Sequence, residues 1–206
     1  MIHSLSEKEP MQTELRYIFN IFCISLAILI ITGCQQQQKS DLDIIKAFKP
    51  EDKYFKSSLM SLHFIIETSP IDRVDSSFQQ IIDAYQLPIS AKGVPDGTYS
   101  AATPADAFDY QHVVTISVKN ERITSVDYNE IKQSGKGKQE DPAYCKEMQP
   151  AGTTPAIAYP IMEQQLLEKQ NIMDVDAVSG ATYSLYRMRY ALTMALMKAR
   201  IENNKK

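Results

Sequence analysis

Asp176-Ala177-Val178-Ser179-Gly180-Ala181-Thr182-Tyr183-Ser184 places hydroxyls, one glycine and small side chains at the entrance to a strongly apolar run. Gly180 can adopt positive φ, and with no side chain it lets another molecule approach the backbone closely. Ser184 reads as an N-cap for the helix predicted over Ser184 to Arg200. The first turn of such a helix offers unpaired N–H groups and the positive end of its dipole to an anion. The chemistry this arrangement suits is phosphate binding, or a phosphate carried on Thr182.

Other chemistries fit the residues less well. Ser179 lacks the Gly-x-Ser-x-Gly elbow of a hydrolase nucleophile, and nothing singles out a histidine base. Gly135-Lys136-Gly137-Lys138 lacks the spacing of a phosphate-binding P-loop and reads as a solvated turn. His3, His63 and His112 are far apart and show no metal-ligand spacing, so no metal is expected; His112 reads as a structural residue opening a strand. Cys23, Cys34 and Cys145 form no zinc pattern, and Cys145 reads as structural.

The string from Asp176 to Thr182 resembles the Asp-x-x-Ser/Thr-Gly-Ala-Thr pattern of the FMN-binding domain family, whose members include flavin-carrying subunits of membrane redox complexes. In that family the threonine ending the motif can carry FMN through a phosphoester bond. The resemblance implies FMN as cofactor and Thr182 as its attachment point, with Asp176, Ser179, Gly180, Ala181, Tyr183 and Ser184 around it. It also implies a flavin transferase as partner, which would use FAD and release AMP. That enzyme would need from this chain only an accessible hydroxyl among small neighbours. Asp176 is then expected to orient the loop for the transferase, or to be a plain exposed carboxylate. Tyr99, Tyr128, Tyr144, Tyr159, Tyr183 and Tyr186 are candidates to pack on the flavin ring; Tyr183 and Tyr186 lead because they adjoin the attachment point.

The resemblance runs from Gly93 to Ala199. It rests on Asp96-Gly97-Thr98-Tyr99, a two-strand segment, the motif and the helix after it. In the strand segment, Val114, Ile116 and Val118 alternate with Thr115 and Ser117, which gives one buried face. Lys119 to Arg122 reads as a polar turn, Ile123 to Tyr128 as a second strand, and Lys132 to Asp141 as a charged loop. Helical periodicity starts at Pro155, with Pro160 expected to delay the helix or kink it. The last helix carries Leu185, Met188, Leu192, Ala195, Leu196 and Ala199 on one side. The fold class expected is α+β, a small antiparallel sheet with packed helices, preceded by a mostly helical segment. In that segment Leu59, Leu62, Ile65 and Ile66 form one stripe, Phe78, Ile81, Ile82 and Tyr85 another, and Pro70 divides them.

At the other end, Tyr17 to Ile31 is an apolar run of about fifteen residues, short of the roughly twenty needed to span a bilayer. It suits the core of an export signal. Ile31-Thr32-Gly33-Cys34 resembles a bacterial lipoprotein signal, in which Cys34 would be acylated and become the new N-terminus. An uncleaved anchor is the other reading. Glu7, Glu9 and Glu14 fit a signal poorly, which favours Met11 as the initiator.

The organisation expected is a signal over 1–34, a polar tether over 35–40, a helical segment of unassigned role over 41–92, an FMN-binding domain over 93–200 and a polar tail over 201–206. The formal net charge of −3 gives no basic footprint for nucleic acid. The function expected is an extracytoplasmic electron carrier, lipid-anchored to the cell membrane or outer membrane, exchanging electrons with membrane or surface redox partners. It is expected to be a redox subunit more than a stand-alone enzyme. Two alternatives stay open: a non-covalent FMN binder serving a reductase, and a flavin-free surface lipoprotein with a structural or binding role.

Overall fold

The computed structural model describes residues 41–47 and 53–203. The signal, the tether and Cys34 lie outside the described residues. Among those described, no helix is long and apolar enough to cross a membrane.

A helix over residues 41–47 (α1) is followed by α2 (Lys53–Thr68) and α3 (Val74–Tyr85). The sheet comprises β1 (Gly97–Ala102), β2 (Tyr110–Lys119) and β3 (Arg122–Lys132), antiparallel and in chain order. Then come the short α4 (Pro142–Met148), α5 (Pro155–Lys169) and α6 (Thr182–Asn203). The protein is α+β, a small antiparallel sheet with helices packed on it and a helical segment before it.

The stripes read in the sequence position these elements. Leu59, Leu62 and Ile66 of α2 and Phe78 and Ile82 of α3 are buried, as are Val114, Ile116 and Val118 of β2. All belong to one core that also takes in α6. The opposite sheet face, through Ala102, Val113 and Ile131, packs against Leu42, Ile44 and Ile45 of α1. β2 and β3 are joined through Asn120 and Glu121, both at positive φ (50° and 57°), the backbone that a two-residue hairpin turn demands. Asn120 N–H donates to Asp96 Oδ1 at 2.7 Å, which ties this turn to the entrance of β1.

Several expectations need correction. The sheet has a third strand, since Gly97–Ala102 pairs with β2 along its whole length. β3 does not stop at Tyr128 but continues through Asn129, Glu130 and Ile131, all buried. Of the expected charged loop, Lys132 to Asp141, only Lys132 belongs to β3, and Gly135 to Lys138 is not a solvated turn throughout, because Lys138 is buried. Pro160 does not delay α5, which begins at Pro155. α6 begins at Thr182, so Ser184 is a buried residue inside the helix and not its cap. Its far end runs through Asn203, into the expected polar tail.

α6 also differs from a one-sided amphipathic helix. Every residue from Ser184 to Met197 is buried. The helix lies between β1 and β2 on one side and α2 on another, where Tyr190 Oη donates to the Leu59 carbonyl at 2.9 Å. A helix enclosed in this way has no broad face left for solvent.

Candidate functional site

The motif loop is fastened before it reaches α6. Asp176 N–H donates to Gln165 Oε1 at 2.7 Å, and Lys169 Nζ meets the Asp176 carboxylate at 2.6 Å. Arg189 Nη2 donates to the carbonyls of Met173 and Val175 at 2.9 and 2.8 Å. Gly180 then takes φ +78°. A Cβ added there would stand 2.7 Å from the Ala151 side chain, so positive φ and close approach both require glycine. The first helical bond runs from Leu185 N–H to the Ala181 carbonyl. The N–H groups of Thr182, Tyr183 and Ser184 therefore have no partner within the helix and form its anion-attracting end.

Beside this end lies a cleft of about 640 Å³. Gly180, Tyr183 and Ser184 line it from the motif, and Phe108, Asp109 and Tyr110 from the loop entering β2. Lys132 lines it from the end of β3, and Lys138, Tyr144 and Glu147 from the segment that follows. Arg187 of α6 and Ile66 and Glu67 of α2 complete the wall. Thr182 is half-buried and sits between lining residues without lining the cleft itself. Asp176 and Ser179 are exposed and Ala181 is buried, and all three stand outside the lining.

Aromatic and cationic groups alternate around the cleft. Phe108 is 68% exposed and Tyr183 48%, two large rings held open at its rim. Lys132 Nζ lies 4.7 Å from the Tyr110 ring centre and Lys138 Nζ 4.5 Å from that of Tyr144. The Arg187 guanidinium lies 5.8 Å from the Tyr183 ring. Of the other tyrosines considered, Tyr128 and Tyr159 pack edge to face in the core at 5.0 Å. Tyr99 donates to the Pro95 carbonyl, and Tyr186 is buried beneath Arg189. Tyr144 and Tyr183 are the two from that group that reach the cleft.

Arg187 and Lys138 connect the cleft lining to a buried charge network that the sequence did not reveal. Asp106 Oδ1 accepts from the N–H of Phe108 (2.8 Å) and Tyr110 (2.9 Å), shaping the loop that presents Phe108. Its Oδ2 meets Arg187 Nη1 at 3.0 Å and His112 Nε2 at 3.5 Å. The other ring nitrogen of His112 lies 3.2 Å from Tyr128 Oη and 3.8 Å from Glu130 Oε2. Glu130 in turn holds Lys138 Nζ at 2.6 Å. His112 and Glu130 are directly opposite in the β2–β3 ladder, so strand register creates this pairing.

Burial works against ionisation of both acids, but their neighbours outweigh it. His112 and Arg187 hold the Asp106 carboxyl far below the usual range. His112 and Lys138 hold Glu130 at about 2. Burial, with Glu130 alongside, drives the Tyr128 hydroxyl well above the ordinary range, which keeps it a neutral donor.

Asp106, His112 and Glu130 are metal-ligand residue types whose ligand atoms lie within 4.8 Å of one another. Histidine spacing alone gave no sign of this cluster, because the strands assemble it. Arg187 and Lys138 already occupy its carboxylates, so the arrangement is an ion-pair network rather than a vacant ligand set.

Residues 109–197 match the family described as the FMN-binding domain. Residues 109–197 thus carry a domain of the FMN-binding domain family. FMN is its cofactor, and the cleft fits that group in kind: aromatic faces for a flat ring, three cations and a helix N-terminus for a phosphate. A crystallised protein from Clostridium perfringens is 31% identical to this FMN-binding chain. The similarity spans 53% of this chain and 91% of that one, with a TM-score of 0.49. A Clostridium thermocellum protein solved by NMR is 25% identical over 54% of this chain and 92% of its own, with a TM-score of 0.29. No curated protein matches the FMN-binding chain. The family match begins at Asp109, so α1, α2, α3 and β1 lie before it.

Proposed function

We propose that this protein is a lipid-anchored, extracytoplasmic electron carrier whose FMN is joined through its phosphate to Thr182. The observation that supports this reading is the placement of Thr182. It is the first residue of α6, half-buried, flanked by Gly180 and Tyr183 that line the aromatic and cationic cleft. Attachment is a phosphoryl transfer. Thr182 Oγ1 bonds to the FMN-side phosphorus of FAD, the bond to AMP breaks, and the hydroxyl proton passes to a base of the flavin transferase. The exposed loop from Asp176 to Gly180 offers that partner an approach, with Asp176 as its charged handle.

Once bound, FMN supplies the one- and two-electron chemistry. The chain holds the ring and sets the field around it. Phe108 and Tyr183 offer faces for the ring to pack on. The N–H groups of α6 favour the phosphate. Rings exposed at the rim keep the redox centre near the surface, where partners can approach. The short apolar run ending at Cys34 supports acylation there and anchoring to the membrane.

The test is mass spectrometry of chain co-expressed with a flavin transferase. Wild type should gain one FMN phosphoester, and Thr182→Ala should gain none while keeping its thermal transition. The loaded protein should be reduced by dithionite and reoxidised by a soluble one-electron acceptor without an organic substrate. An FMN-sized addition that persists in Thr182→Ala would sink the attachment assignment. Loaded flavin that cannot be reduced would sink the carrier role.

A further inference from the structure

Two arginines on α6 fasten the helices that precede the family match. Arg187 Nη2 meets Glu67 Oε1 of α2 at 3.4 Å, and Arg189 Nη1 meets Asp75 Oδ1 of α3 at 2.6 Å. The two anchors differ in what else they touch. Arg189 spends its remaining donors on the Met173 and Val175 carbonyls and lies outside the cleft. Arg187 lines the cleft and grips Asp106, whose other oxygen shapes the loop bearing Phe108. α2 adds Ile66 and Glu67 to the same wall.

We propose that the N-terminal helical segment is a part of the FMN site, with Glu67 as the residue that positions Arg187 and offsets part of its charge. The inference rests on the flavin reading of this cleft. Glu67 and Asp106 take separate arms of one guanidinium, so Arg187 is bridged between α2 and the Phe108 loop. A guanidinium held at two points presents a fixed charge to the cleft, where a free one would swing toward whatever anion entered. The carboxylate of Glu67, with those of Asp109 and Glu147, also offsets the charge that Lys132, Lys138 and Arg187 bring to the lining. α2 thereby tunes how strongly the site favours an anionic ligand and a flavin that has gained electrons.

The experiment uses the full chain in detergent, expressed without a flavin transferase and titrated with FMN. Glu67→Gln keeps the shape and a hydrogen-bond acceptor but removes the charge. Its FMN dissociation constant should fall roughly threefold, the size expected for one charge acting across a partly hydrated cleft. The midpoint potential of the bound flavin should rise. Glu67→Asp should restore both toward wild type. Asp75→Asn removes the same charge from the same helical segment at the anchor that does not face the cleft, and should change neither.

A readout on wild type covers the case in which Glu67→Gln does not fold. Added FMN should slow amide exchange over residues 60–68 of α2 more than over α3. Equal responses to Glu67→Gln and Asp75→Asn, no response to either, or no protection of residues 60–68 would overturn the inference alone. A wild-type chain that binds no FMN would overturn the flavin reading and this inference with it.

Discussion

Gly180 lies so close to Ala151 that a Cβ on Gly180 would stand 2.7 Å from the Ala151 side chain. The motif loop is thus pressed against the segment leading into α5, and its backbone is held at φ +78°. Gly180→Ala should destabilise the protein by about 1–3 kcal/mol, from positive φ and contact together. Because Gly180 lines the cleft, the same change should reduce FMN uptake. Chemical denaturation and FMN titration of the same sample would check both; unchanged stability would mean that the loop can move away from Ala151 freely.

Phe108 separates binding from stability in the opposite sense. It is 68% exposed, so Phe108→Ala should leave stability within about 0.5 kcal/mol of wild type. Loss of one aromatic face should weaken FMN binding by roughly threefold to tenfold. Quenching of flavin fluorescence on titration measures this directly. Equal affinity in the variant would remove Phe108 from the ring-packing role.

The alternation in β2 was legible because burial on one sheet face leaves a period of two, which Val114, Ile116 and Val118 display. The end of β3 was not. Asn129 and Glu130 carry the polar composition of a loop, and only strand pairing brings Glu130 to His112, while the turn after β3 returns Lys138 to offset its charge. α6 was placed almost correctly from its apolar spacing, but its enclosure was hidden because Arg187, Arg189 and Thr193 look solvent-facing. Each is buried against a partner, Glu67 and Asp106 for the first, Asp75 for the second and the Arg189 carbonyl for the third. The motif could be read locally, whereas the cleft beside it draws on α2, the Phe108 loop and the turn after β3.

Acid should expose the buried network. The neighbours of Glu130 depress its pKa to about 2 from the ordinary 4.5, so it contributes stability above 4.5 that is lost as pH falls toward 2. Asp106 is depressed too and acts in the same direction. Denaturation midpoints taken between pH 5 and 2.5 should fall steeply for wild type. Glu130→Gln should lose about 3–5 kcal/mol at neutral pH, because Lys138 is left buried without its counter-charge, and should show a shallower fall in acid. Parallel acid profiles for the two proteins would remove Glu130 from the acid response.

Cys34 gives a prediction independent of the cleft. In a bacterial host, wild type should incorporate labelled fatty acid and fractionate with membranes, whereas Cys34→Ala should take up no label. Wild-type protein that stays unlabelled and cytoplasmic would refute the lipoprotein reading.

α6 is the last described element of the chain and packs on β1, β2 and α2 alike. Until it is made, β1, β2 and α2 have no common partner, and the N–H groups around Thr182 are not yet gathered at a helix end. Folding cannot therefore be completed piecemeal from the N-terminus as synthesis proceeds. Cofactor loading then falls to a late moment, after the final helix has arrived, and a product cut short within α6 would present no finished site to load.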